Sequence, residues 1–219
     1  MRVASITPVY NAEFFLPAFL KQISVFDENI FLLGDEPFED YLEAGLVDRK
    51  RDNTRQILRN AKVRLVPHNI RFYSGKLFNL GLAVAKSLNC EVAVKIDPDM
   101  FLEKKSMDLL LDGARNITSD ALVLDMKSNT MVYEQDFDHG VTQSLWHVGG
   151  EPFVIKTSAK FAEDGTNIHI DDTQMINWDG FMIHHFSGFK RNIVSEVEKM
   201  EKFKGWAPAP QEIKDLFNA

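Results

Sequence analysis

The chain has 219 residues, 45% of them hydrophobic and 26% charged, a composition that excludes a disordered or fibrous chain. Its 25 lysines and arginines against 32 aspartates and glutamates leave a formal charge of −7, which argues against a broadly basic nucleic-acid-binding surface. A single cysteine, Cys90, excludes an internal disulfide, and no stretch approaches the roughly eighteen consecutive apolar residues that a membrane span requires.

Arg2 to Ile6 reads as a first strand, and Thr7-Pro8-Val9-Tyr10-Asn11 as the turn after it. Pro8 and Asn11 also break the first apolar run, so no signal-peptide pattern is apparent and a cytoplasmic location is expected. Phe14, Phe15, Ala18, Phe19, Gln22 and Ile23 recur at helical spacing and predict a helix near residues 13–25. Ile30 to Leu33 is a second apolar strand, closed by Gly34-Asp35. Strand, helix, strand in this order predicts a right-handed βαβ unit. Residues 36–62 are charged, with Leu42, Leu46, Ile57 and Leu58 predicting one or two helices. Val63 to Val66 gives a third strand ending at Pro67. Gly75 to Lys86 reads as a helix with Leu77, Leu80, Gly81, Val84 and Ala85 facing inward.

The stretch Val92-Ala93-Val94-Lys95-Ile96-Asp97-Pro98-Asp99 carries the chemistry. An apolar, β-branched run reads as a buried strand, and Pro98 stops it near Asp97. Asp97 and Asp99 then stand at the carboxyl end of a central strand, where open α/β sheets bind ligands. Two carboxylates there repel each other unless a cation bridges them, and oxygen ligands suit Mg2+ or Mn2+. Met107 to Ala114 is the helix that follows.

The second half is less regular. Ala121 to Met126 and Met131 to Tyr133 read as strands around Ser128-Asn129. Residues 134–150, with His139, His147 and Gly149-Gly150, read as a loop-rich insertion. Phe153 to Ile155 is a short strand, and Ala162 to Thr173 a polar, acidic and mobile segment. Phe181 to Phe186 returns to a strand pattern. Ser195 to Phe203 is an amphipathic helix, Trp206 to Pro210 an extended segment, and Gln211 to Phe217 a last helix. The expected architecture is one α/β domain over 1–219, a Rossmann-like mixed sheet flanked by helices. Residues 1–115 form its nucleotide-binding half and 116–219 its acceptor-shaping half.

Four stretches in this order resemble nucleotide-sugar glycosyltransferases of the GT-A fold, in particular family 2. They are Ile6-Thr7-Pro8-Val9-Tyr10-Asn11; Asp35 after the second strand; Gly75, Asn79 and Gly81 in the helix; and Asp97-Pro98-Asp99 as the DxD triplet. A fifth, Ile183-His184-His185-Phe186-Ser187-Gly188-Phe189-Lys190, is similar to the C-terminal segment of the glycogenin-like family 8. The resemblance implies a nucleotide loop at Thr7, Pro8 and Tyr10, base recognition by Asp35, and donor contacts from Lys76 and Asn79. It makes Asp99 the direct Mn2+ or Mg2+ ligand, with Asp97 nearer the ribose or bound to metal through water. His185 is implied as a further ligand, and Gly188 and Lys190 as the diphosphate contacts. If residues 181–186 form a strand, His184 points to the opposite face from His185.

The chain also departs from the family. The arginine that precedes the helix asparagine is Phe78 here, so that contact is lost or taken by Lys76. The best match to the family's later catalytic carboxylate is Asp171 or Asp172, with Asp172 favoured as the base of an inverting transfer; a retaining mechanism requires neither. Trp146 and Trp178 are either sugar-stacking surfaces or core. The implied activity is metal-dependent transfer of a sugar from a UDP- or GDP-linked donor to a hydroxyl of a glycan or other acceptor. A modified DNA base as acceptor would need a basic strip, for which Arg49-Lys50-Arg51, Arg55, Arg59, Lys62 and Arg64 are the candidates. A nucleotidyltransferase of related fold and a non-catalytic nucleotide- or sugar-binding module are the competing classes. The former normally carries a glycine-rich basic loop, which Thr7 to Asn11 lacks.

Overall fold

A computed structural model of the chain describes residues 1–39, 42, 51–124, 130–136, 140–145, 152–163, 169–186 and 210–218. Strand β1 (Val3–Val9) leads into helix α1 (Leu16–Gln22) and a 3-10 turn (Ile23–Val25), and β2 (Glu28–Gly34) returns parallel to β1. Helix α2 (Thr54–Asn60) precedes β3 (Arg64–His68), which pairs parallel with β2. Helix α3 (Gly75–Ser87) feeds β4 (Val92–Lys95), which pairs with the other side of β1. Then come β5 (Met100–Leu102), α4 (Lys104–Asn116), β6 (Ala121–Leu124), β7 (Thr130–Asp136), β8 (Gly140–Leu145), β9 (Pro152–Lys156), β10 (Thr173–Ile176), β11 (Ile183–His185) and α5 (Gln211–Asn218).

A seven-stranded mixed sheet runs in the order β10-β6-β9-β4-β1-β2-β3, which makes β4 its central strand. A second sheet of four strands runs β5-β11-β7-β8. Side-chain alternation on the central strands feeds two apolar layers. Val3, Val9, Phe31, Val92 and Val94 face one; Ala4, Ile6, Ile30, Leu32 and Ala93 face the other. Helix α3 packs unusually close on the second face. A Cβ at Gly81 would lie 2.7 Å from Ile6 Cγ2, so glycine here sets the helix-to-sheet distance.

Three stretches differ from the sequence reading. Residues 134–150 were expected as loop, yet β7 and β8 form an antiparallel hairpin with Met131 opposite Leu145 and Asp136 opposite Gly140. Glu134, Gln135, Thr142, Gln143 and Ser144 give that hairpin no apolar alternation to read. Residues 173–176, at and after the end of the segment 162–173, form β10, an edge strand that the sequence reading did not expect, with Thr173, Gln174 and Met175 exposed. Ahead of it the Ala162 N–H donates to the His169 carbonyl at 3.0 Å. Finally, the first helix is shorter than 13–25, because residues 13–15 form turns before Pro17 enters its first turn. The expected helix over Ser195 to Phe203 lies outside the described residues.

Candidate functional site

The acidic triplet occupies a tight turn off the central strand. The Ile96 N–H still donates to the Ile6 carbonyl at 3.2 Å, and the Met100 N–H then donates back to the Asp97 carbonyl at 3.0 Å. Chain reversal over Pro98-Asp99 sends β5 into the second sheet, where it pairs antiparallel with β11, Met100 opposite His185 and Leu102 opposite Ile183. The Phe186 N–H extends that ladder by donating to the Asp99 carbonyl at 3.0 Å. This register delivers His185 to the triplet: its Nε2 is 3.3 Å from Asp99 Oδ2. Asp99 is fully buried, whereas the His185 side chain keeps 22% exposure. His184 projects to the other face, 4% exposed, with Nε2 3.1 Å from Glu103 Oε1. Burial pushes the His184 pKa below the usual imidazole range, with Glu103 opposing.

Asp97 has different partners. The Tyr73 hydroxyl reaches both its oxygens, at 3.3 and 3.4 Å. Beneath them Lys95 is only 6% exposed, and its Nζ lies 5.2 Å from the Tyr73 ring centroid and 5.1 Å from that of Phe78. The two rings meet edge to face at 5.2 Å. Lys76, the alternative to losing the family's arginine contact, is exposed on the first turn of α3. The cation beside position 78 is therefore Lys95, contributed by the central strand.

A cavity of about 210 Å3 opens beyond the carboxyl ends of β1 and β2, lined among others by Tyr10, Asn11, Gly34, Arg51, Arg55 and Arg59. Asn11 takes φ 49°, a left-handed conformation that asparagine tolerates, and its Oδ1 accepts from the Asp52 N–H at 3.2 Å. The Ala12 N–H donates to Thr54 Oγ1 at 2.6 Å, so the loop after β1 is tied to the start of α2. Asp35 stands at the exposed turn after β2. Its carboxylate pairs with Arg55, and Arg51 donates to its carbonyl. Thr7 and Pro8, expected in a nucleotide loop, belong to β1 itself and are buried there, opposite Phe31 and Leu32. The pairing of β1 with β4 ends at Ile6 opposite Lys95, so at Pro8 the strand is paired by β2 alone, a place where a residue without an N–H is tolerated.

Several other expected site residues are used elsewhere. Asn79 forms a two-way pair with the backbone of Phe161: its Nδ2 donates to the carbonyl at 3.0 Å, and the Phe161 N–H donates to Oδ1 at 2.8 Å. Nδ2 also reaches Glu163 at 3.0 Å. A Cβ at Gly75 would collide with the Ala162 carbonyl. Gly75 and Asn79 together thus dock residues 161–163 against α3. The Trp178 ring covers Gly113 of α4 and packs on Phe181 at 5.4 Å between centroids, which is the core alternative for this residue.

The structure does not bring Asp171 and Asp172 to the Asp99–His185 pair. Thr173 pairs with Ala121, Ala121 with Ile155, and Ile155 with Ala93, so Asp172 stands level with the beginning of β4. The triplet follows the end of β4, roughly 15 Å away at about 3.3 Å per residue. At that far rim Asp172 Oδ2 accepts from the Asp120 N–H at 3.1 Å. Trp146, Gly188 and Lys190 lie outside the described residues.

Lys95 and Tyr73 were not singled out as site residues by the sequence, and Arg55 was named only as part of a candidate basic strip. The one available signal was a lysine inside the otherwise apolar run Val92 to Ile96.

No protein-family model matches the chain, and no curated protein matches it. Among solved structures it is similar to S. aureus TarS 1-349, with a TM-score of 0.51 and 14% identity over 99% of this chain and 69% of that one. TarS 1-349 in complex with UDP-GlcNAc gives 0.49 and 15% identity over 99% and 70%. A 4-diphosphocytidyl-2C-methyl-D-erythritol synthase gives 0.44 and 11% identity over 71% and 75%. At such identities the likeness is one of architecture, and the chain has the Rossmann-like, GT-A-like fold of mixed sheet and flanking helices.

Proposed function

We propose that the chain transfers a sugar from a nucleoside-diphosphate donor to a hydroxyl acceptor. The observation that carries this reading is the Asp99–His185 pair, held at 3.3 Å beyond the central strand on the same rim as the cavity lined by Tyr10 and Gly34. A nucleoside placed in that cavity would extend its diphosphate along the strand ends towards the triplet.

The donor set fits a Mg2+ or Mn2+ ion. Among the described residues no three acidic, histidine or cysteine side chains cluster around one point. Two protein ligands suffice, however, for an ion that keeps several waters and takes its remaining oxygens from substrate phosphates. Asp99 and His185 would hold it, and Asp97, engaged by Tyr73, would stand beside it. When bound, the ion would offset the negative charge that develops on the departing diphosphate. Burial of Asp99 strengthens its charge interactions, since few waters screen them. Tyr10 offers an aromatic face to the base, and Asp35, steadied by Arg55, an acceptor for a base N–H. Asp171 and Asp172, on the opposite rim, stand outside this centre.

The test is calorimetry with UDP and GDP in Mn2+ and in EDTA, followed by an assay of slow donor hydrolysis across nucleotide sugars. Metal-dependent binding together with release of free sugar supports the reading. Equal affinity in EDTA removes the metal, and absence of nucleotide binding removes the function.

A further inference from the structure

Lys95 is a charged residue placed where the sheet is otherwise apolar. On the same face of the sheet lie Ala4, Ile6, Ala93 and Phe78, all buried, and an ammonium there forfeits most of its hydration. Such a residue persists only where its charge is answered. Two contacts around it bear on that charge. The faces of Tyr73 and Phe78 lie 5.2 and 5.1 Å from Nζ, within reach of the ring quadrupoles. Beyond Tyr73, the phenol hydroxyl is directed at both oxygens of Asp97. A cation over a phenol ring draws electron density from it and makes its O–H a stronger donor. Lys95, Tyr73 and the carboxylate two residues further along the chain thus form one connected line of contacts.

Geometry separates the two acidic residues. Asp99 turns to His185 at 3.3 Å, while Asp97 is engaged by Tyr73. A diphosphate approaching this rim meets two carboxylates, so a fixed protein cation below Asp97 lowers the repulsion it experiences. Phe78 stands where the resembling family has an arginine, and the exposed Lys76 does not fill that place.

We propose that Lys95 and Tyr73 are a positioning couple for Asp97: they orient its carboxylate and offset its charge, so that a nucleoside diphosphate is admitted beside it. This rests on the nucleotide-binding reading above. Lys95 acts through Asp97 and not by touching the ligand.

The experiment is calorimetry of UDP and GDP, in Mn2+, with wild type, Lys95→Met, Lys95→Arg, Tyr73→Phe, Asp97→Asn and the Lys95→Met/Asp97→Asn double variant, each also melted without nucleotide. Lys95→Met and Tyr73→Phe are each expected to weaken binding about tenfold, the range of one charge-assisted contact. Lys95→Arg should recover most of the loss. In the Asp97→Asn background Lys95→Met should add nothing, because residues acting along one path are non-additive. A purely structural lysine would instead lower the melting temperature and leave the two losses additive. Tyr73→Phe, nearly isosteric, keeps the test decisive if Lys95→Met fails to fold. Wild-type affinity in Lys95→Met or Tyr73→Phe overturns the inference alone. A wild-type chain that binds neither nucleotide overturns it together with the reading beneath it.

Discussion

His185 reaches Asp99 at 3.3 Å because it stands opposite Met100, the residue that follows Asp99, in an antiparallel pair. The same pleat sends His184 the other way, to Glu103 at 3.1 Å. His185→Ala is expected to lower Mn2+-dependent nucleotide binding at least tenfold with little change in melting temperature. His184→Ala should leave binding within about threefold and destabilise by about 1–3 kcal/mol, the range for losing a buried hydrogen-bonded group. Calorimetry and thermal denaturation of both variants check this. A reversed pattern would place the β11 register off by one residue, which exchanges the two faces.

The turn after β2 carries a second expectation. One carboxylate oxygen of Asp35 pairs with Arg55, and Arg51 donates to the Asp35 carbonyl, so two arginines steady this acceptor at the cavity rim. Uracil N3–H and guanine N1–H donate to such an acceptor, whereas cytosine N3 accepts. UDP or GDP should therefore bind about tenfold tighter than CDP, and Asp35→Asn should narrow that gap, as expected when a group reads a hydrogen-bond donor. Competition binding with the three diphosphates measures it. Arg55→Ala should narrow the gap too, and by no more than Asp35→Asn does.

Asn79 and Gly75 belong to a stretch whose family resemblance points to the donor, but their contacts here are with the chain itself. Asn79 holds Phe161 through both sides of its amide, and Phe161 in turn packs on Phe78 at 5.5 Å. Asn79→Ala leaves a buried backbone pair unmet and should destabilise by about 1–3 kcal/mol. Nucleotide affinity, measured below the melting transition, should stay within about threefold. A large loss of affinity at unchanged stability would return Asn79 to the donor site.

What the sequence made legible follows how local each signal is. Strands β1, β2 and β4 and helix α3 are apolar and periodic, and each stands within a few residues of its expected place. The β7–β8 hairpin carries Glu134, Gln135, Thr142, Gln143 and Ser144, and β10 is an exposed edge strand, so period-2 apolar alternation was missing from them. In the site, Asp97 and Asp99 were visible from a strand ending in a proline turn. His185 was expected beside them by resemblance, but Tyr73 and Lys95 were not. Tyr73 and Phe78 come to Lys95 only because α3 lies across the sheet, close to β1 at Gly81. Asp171 and Asp172 were matched by motif order alone. Motif order does not reveal that β10 runs parallel to β6, which carries the start of β10 to the far rim.

His68 gives the last expectation, one of stability against pH. It ends β3 beside Gly34, stacks on Phe38 at 6.2 Å, and is only 8% exposed. Its Nδ1 accepts from the Ile70 N–H at 3.2 Å, which fixes the proton of the neutral ring on Nε2. Burial lowers its pKa below the usual imidazole range; the Leu32 backbone and Asp35 oppose that shift without reversing it. The unfolded chain therefore takes up the proton first as pH falls. Stability is complete above the unfolded value of about 6.5 and declines below it until the folded ring also protonates, since the unfolded state binds more protons across that window. His184, also lowered, adds a slope of the same sign. His68→Gln, which keeps an acceptor for the Ile70 N–H, should flatten the fall in melting temperature between pH 7 and pH 5 and leave the part due to His184. Melting curves across that range, for wild type and variant at constant ionic strength, give the difference directly. An unchanged slope would mean that His68 protonates alike in the folded and unfolded chain.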